Sequence, residues 1–93
     1  MSPYVHTLTV KDPIGLHARP VGQIVTLVRD TGAHVTLRSA SGAEALATSA
    51  LKMLAMKVKT GQQLEVVIES PGSMDEEALA GAIESLINQG EAG

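Results

Sequence analysis

A chain of 93 residues is long enough to bury one hydrophobic core and too short for two, so a single domain over residues 1–93 is expected. Its apolar residues are nearly all aliphatic, with one Tyr and no Phe or Trp, which removes the stacking platform of single-strand nucleic-acid binders; a formal net charge of -3, from 7 basic and 10 acidic residues, removes the basic field that attracts nucleic-acid backbones or anionic membranes. The absence of Cys excludes disulfides and thiolate metal sites and suits a reducing compartment, and the start MSPYVHTLTV has neither the basic nor the apolar region of a secretory leader, so a cytoplasmic protein is expected.

Tyr4 to Val10 alternates, with His6, Leu8 and Val10 on one face and Val5, Thr7 and Thr9 on the other, as a half-buried strand should. Asp12-Pro13-Ile14-Gly15 breaks it. Val21, Ile24, Val25 and Val28 then recur at helical spacing, which predicts an amphipathic helix from just after His17 to about Thr31, stopped by Gly32. His34 to Ser39 alternates again with Val35 and Leu37 inward, and Ser41-Gly42 turns into a short strand near Ala43 to Ala47. A short helix from Ser49 to about Met56 follows, with Thr48-Ser49 as capping candidates. Leu64, Val66 and Ile68 mark a fourth strand. Ser73-Met74-Asp75-Glu76 has the form of a capping box for a last helix that turns Leu79, Ile83, Leu86 and Ile87 inward and stops at Gly90. The order β-α-β-β-α-β-α predicts an α+β fold, an open-faced β-sandwich in which a four-stranded, mostly antiparallel sheet carries three helices on one face.

The segment GLHARP, Gly15 to Pro20, lies where the apolar period changes. With His17 at or beside the N-cap, Ala18 and Arg19 fall in the first turn and Pro20 sits where a missing donor is tolerated. First-turn amides lack intrahelical partners and lie at the positive end of the helix dipole, so the backbone of Ala18 and Arg19 forms an anion site within reach of the imidazole. A histidine with one unprotonated nitrogen can attack phosphorus. Arg19 supplies a permanent cation with planar donor geometry for phosphoryl oxygens, and Gly15 permits the sharp turn before the helix.

The chain resembles the histidine phosphocarrier (HPr) family of the bacterial phosphoenolpyruvate-dependent sugar phosphotransferase system. Gly15-Leu16-His17-Ala18-Arg19-Pro20 matches that family's active-site motif residue for residue, Ser49 falls at its second signature position, and the element order agrees over nearly the whole chain. The resemblance implies that His17 accepts a phosphoryl group at Nδ1 from phosphorylated Enzyme I and passes it to IIA domains of sugar permeases. Arg19 would assist, with no metal or cofactor required. Ile14 departs from the small polar residue common before the glycine, and is expected to pack locally. A carrier of the parallel nitrogen-related branch would share the chemistry and differ in partners. A regulatory binding module of the same fold would usually lack the histidine, which this chain keeps.

Ser49 is expected to cap the helix behind it. The resemblance further implies a regulatory phosphorylation site there, served by a serine kinase and read by a transcriptional regulator, since added charge would hinder Enzyme I docking. Its flanks, Thr48 and Ala50-Leu51, differ from those of the regulated members. Ala50, Leu51, Met53, Leu54, Ala55 and Met56 cover more than one helical face, so part of this helix is expected to remain exposed beside the histidine as a docking surface formed by Ala50, Leu51, Lys52 and Leu54. Lys52 and Arg29 would suit acidic partner sites. His6 and His34 lack metal-ligand spacing with His17 and are expected at solvent or a sheet edge; without a heptad, a monomer is expected.

Overall fold

The computed structural model describes residues 2–90. In chain order it contains β1 (Tyr4–Thr9), α1 (Ala18–Thr31), β2 (His34–Ser39), β3 (Glu44–Leu46), α2 (Ala50–Ala55), β4 (Gln63–Ser70) and α3 (Glu76–Ile87). The strands form one four-stranded sheet in the order β1-β4-β2-β3. Every neighbouring pair is antiparallel, so the expected mostly antiparallel sheet is wholly so.

Register follows from the alternation in sequence, because a one-residue slip would turn each apolar row outward. Leu8 lies opposite Leu64, while Val35 and Leu37 lie opposite Ile68 and Val66, and Leu37 faces Ala45 on its other side. These side chains are all buried, together with Val21, Ile24 and Val28 of α1, Met53 of α2 and Leu79, Ile83 and Ile87 of α3. Three amphipathic helices thus cover one sheet face. Burying each Val, Leu or Ile contributes about 1.5–3 kcal/mol. The other face is open, with Thr7 and Val5 exposed and Arg38 bridging Glu65 at 2.6 Å and Glu44 at 3.7 Å.

Two expectations at α3 need correction. Its N-cap is Asp75, whose side chain accepts from the amides of Glu77 and Ala78, and not Ser73. Ser73 is committed elsewhere: its amide donates to the Thr31 carbonyl at the end of α1, 2.9 Å away. Gly72, with a φ of 65°, brings the turn so close that a Cβ there would lie 2.0 Å from the Thr31 oxygen. At the other end the helix closes on Asn88, not Gly90. Asn88 ties α3 to the end of β1, accepting from the amides of Lys11 and Asp12 and donating to the Thr9 carbonyl.

The histidines outside GLHARP are separate from it. His6 lies on edge strand β1, in keeping with the sheet-edge expectation; it is half-buried and meets Glu84 of α3 at 2.6 Å, so it also pins strand to helix. His34 is exposed at the start of β2. Among the described residues no group of His, Asp and Glu could hold a metal ion, and no helix is long and apolar enough to cross a membrane.

Candidate functional site

The residues of GLHARP are positioned by a loop fastened at both ends. Gly15 adopts a φ of 84°, and a Cβ on it would approach the Val58 carbonyl oxygen to 2.8 Å, so this position requires glycine. Beside it the Leu16 amide donates to Val58 at 3.0 Å, and the Leu16 side chain is buried. The Asp12 carbonyl accepts from the Gly15 amide at 2.9 Å and from Thr60 Oγ1 at 2.5 Å. The loop is therefore bound to the segment leading into β4 as well as to itself.

His17 is the N-cap of α1, with extended backbone angles, and its side chain makes no capping hydrogen bond. Its carbonyl accepts from the Val21 amide at 3.2 Å. Pro20 has no amide hydrogen, so the first-turn donors are the amides of Ala18 and Arg19, neither of which has a hydrogen-bond partner among the described residues. No acidic residue stands in this first turn. The positive end of the helix is thus uncompensated among the described residues, beside an imidazole that keeps 26% of its surface exposed.

A cleft of about 270 Å³ opens at this point, lined by Asp12, Pro13, Ile14, His17, Arg19, Gln89 and Gly90. It joins the imidazole, the exposed Arg19 and the anion-attracting helix end in one cavity. Sequence reasoning missed Asp12, the buried charged residue of the described chain, with 2% exposure. Its Oδ1 accepts from the Ile14 amide at 2.9 Å, its Oδ2 from the Gly90 amide at 3.1 Å, and Oδ2 lies 3.6 Å from His17 Nε2. The Ile14 amide bond holds the Asp12 carboxyl below its usual range; burial opposes this, while His17 and the Gly90 amide reinforce it. In sequence, Asp12-Pro13 reads only as a turn, and no local signal links it to a residue near the other terminus.

Ile14 does not pack locally as expected. With its amide held by Asp12, its side chain projects into solvent and is 72% exposed at the rim of the cleft. Ser49 is the N-cap of α2, as expected, its Oγ accepting from the Lys52 amide at 3.3 Å. The expected docking residues divide. Leu51 is 80% exposed, and Ala50 and Lys52 are exposed, whereas Leu54 is half-buried against the core beside the fully buried Met53. Arg29 is exposed in the last turn of α1, at the opposite end of that helix from His17.

An open antiparallel sandwich that offers a histidine at an uncapped helix end defines a histidine phosphocarrier domain. The chain belongs to the PTS-HPr family, whose model, described as the PTS HPr component phosphorylation site, matches residues 5–89; it is a phosphocarrier of the phosphotransferase system family. It is 38% identical to phosphocarrier protein NPr of Escherichia coli K12 over 84 residues, covering 90% of each chain. It is 33% identical to phosphocarrier protein HPr of Mycoplasma pneumoniae over 72 residues, or 77% of this chain and 80% of the relative. The fold matches that of phosphocarrier protein HPr from Bacillus anthracis with a TM-score of 0.77 at 20% identity, covering 92% of this chain and 98% of the other.

Proposed function

We propose that this protein accepts a phosphoryl group on His17 Nδ1 from phosphorylated Enzyme I and donates it to a IIA-type acceptor. The observation that carries this reading is the uncapped start of α1, where the unpartnered amides of Ala18 and Arg19 adjoin a partly exposed imidazole. As the bond from phosphorus to the donor breaks, the Nδ1 lone pair forms the new one. The two amides and the Arg19 guanidinium take up the phosphoryl oxygens, stabilising the charge that the transfer spreads over them. Donation reverses these steps, and the electron pair returns to Nδ1.

Partners dock through exposed apolar side chains. Ile14 and Leu51 are two of the four large apolar side chains most exposed in the described chain, and with Ala50, Lys52 and the visible part of Leu54 they supply the docking surface. Ser49 lies beside that surface, and a phosphate on it would add negative charge where Lys52 now favours an acidic partner. Modification by a serine kinase, read by a transcriptional regulator, is the corresponding regulatory role.

The resemblance in sequence implied IIA domains of sugar permeases as acceptors. The 38% identity to NPr over 90% of both chains, against 33% to HPr over 77% of this one, favours the nitrogen-related branch instead. The test is to mix the protein with phosphoenolpyruvate and a catalytic amount of either branch's Enzyme I, recording intact mass and acid lability. One acid-labile phosphoryl group, gained faster from the nitrogen-related donor and absent in His17→Ala, is expected. Faster gain from the sugar-branch donor would restore the sugar assignment, and no gain from either would refute the carrier role.

A further inference from the structure

We infer that Asp12 is a positioning residue for phosphoryl transfer, selecting the His17 tautomer that carries its proton on Nε2 and leaves Nδ1 as the nucleophile. The inference deepens the carrier reading and rests on it for the identity of the reaction. Its structural basis is separate: a carboxylate that the fold has buried, held from several elements and aimed at one edge of the ring.

That hold is extensive for a surface loop. Oδ1 takes the Ile14 amide and Oδ2 the Gly90 amide, the Asp12 amide donates to Asn88 Oδ1 at 3.2 Å, and its carbonyl takes Thr60 Oγ1 and the Gly15 amide. Backbone closes round the carboxylate so tightly that a Cβ on Gly90 would lie 2.3 Å from Oδ2. Oδ2 therefore cannot swing away from the ring, and it stands 3.6 Å from Nε2. A bare carboxylate accepts hydrogen bonds and donates none. Beside Nε2 it favours the form with a proton there and disfavours the form with a lone pair there, which fixes the unprotonated nitrogen at Nδ1.

The consequence extends through the reaction. When Nδ1 bonds to phosphorus, the ring keeps its Nε2 proton and becomes cationic, and the carboxylate can close from 3.6 Å to a charge-assisted hydrogen bond of roughly 2.8 Å. No proton has to move in either direction. On donation the bond to phosphorus breaks, its electron pair returns to Nδ1, and the neutral ring leaves already in the accepting tautomer. Arg19, which lines the same cleft, acts on the phosphoryl oxygens, so the two charged residues take separate parts in the transfer.

Asp12→Asn separates this from a purely structural role. An amide has one oxygen for the two backbone donors, so its NH2 group turns toward Gly90 and Nε2 and would donate to a lone pair there, favouring the opposite tautomer. Ring 15N NMR of the unphosphorylated protein at about pH 9, where imidazole is neutral, should show the proton on Nε2 in the wild type and a shift toward Nδ1 in Asp12→Asn. Phosphorylation by phosphoramidate, a small donor that needs no partner protein, should slow about tenfold in the variant, the scale of one charge-assisted contact. Asn88→Ala, which removes the bond to the Asp12 backbone amide but leaves both amide bonds to its carboxylate, should keep the wild-type tautomer and rate in its folded fraction. A folded Asp12→Asn with both unchanged, or an Asn88→Ala that loses as much rate with the tautomer unchanged, would overturn the inference. If Asp12→Asn does not fold, Gly90→Ala, which must displace the carboxylate, replaces it with the same two outcomes. A wild type phosphorylated by phosphoramidate but by no Enzyme I would refute the carrier reading and leave the tautomer result standing.

Discussion

The starts of α1 and α3 solve the same problem in opposite ways. At α3, Asp75 accepts from two first-turn amides and Glu76 and Glu77 place further negative charge at the positive end of the helix, so the terminus is satisfied from within. At α1 there is no side-chain cap and no acid in the first turn. The amides of Ala18 and Arg19 remain available, and Pro20 removes a donor that would otherwise need satisfying. A cap such as Asp75 contributes about 1 kcal/mol. That contribution is forgone at the start of α1, where on the proposed function a phosphoryl group would supply the missing negative charge, and secured at α3, where none is needed.

Several substitutions would break or sharpen the contrast. The largest effect is expected of His17→Ala, which should abolish phosphoryl acceptance by intact mass while leaving the circular dichroism melt within a few degrees of wild type, since the side chain makes no cap. Arg19→Gln should lower the transfer rate on the order of 10²-fold and change stability by less than about 0.5 kcal/mol, as for other exposed substitutions; stopped-flow transfer assays and urea unfolding read the two separately. Ser49→Asp retains a capping oxygen at α2 and should weaken Enzyme I binding about tenfold by calorimetry, through negative charge beside Leu51 and Lys52. An unchanged affinity would leave Ser49 a cap alone. Asp75→Ala should cost about 1 kcal/mol in urea unfolding without altering phosphoryl acceptance, the mirror image of His17→Ala.

The smallest effect expected is on acid stability. Asp12 has its carboxyl pKa lowered in the folded state, chiefly by the Ile14 amide. Its contribution to stability is therefore complete above the unfolded value near pH 3.9 and is lost as pH falls through that value toward the lower folded one. Melting temperature should decline more steeply with falling pH below about 4 in wild type than in Asp12→Asn. Parallel declines would mean that the carboxylate is not favoured in the folded protein.

Much of this architecture was legible because it is local. Alternation placed Leu8, Val35, Leu37, Leu64, Val66 and Ile68, and helical spacing with Gly32 bounded α1 at Ala18–Thr31. Ser49 could be read as a cap because it is a capping type standing between a short strand and an apolar helical run. The readings that failed depended on distant parts of the chain. Ser73 and Asp75 are both capping types two positions apart, and only the contact of residues 72 and 73 with Thr31 decides between them. Gly90 has the composition of a helix stop, yet its lack of a side chain serves the close approach to Asp12. Asp12 itself escaped notice because its meaning comes from His17, Thr60, Asn88 and Gly90 together. In GLHARP the residue types announce the chemistry, whereas the carboxylate behind the ring is visible only once the chain has closed.

The most direct test of the account is a 15N and 31P NMR spectrum of the uniformly 15N-labelled protein after phosphorylation by Enzyme I. The account predicts a phosphorus coupling to His17 Nδ1 and its largest amide shifts at Ala18 and Arg19, with the capped amides of Glu77 and Ala78 unmoved. Phosphorus bonded elsewhere, or amides of Ala18 and Arg19 that do not respond to it, would contradict the claim that the open end of α1 is the phosphoryl site.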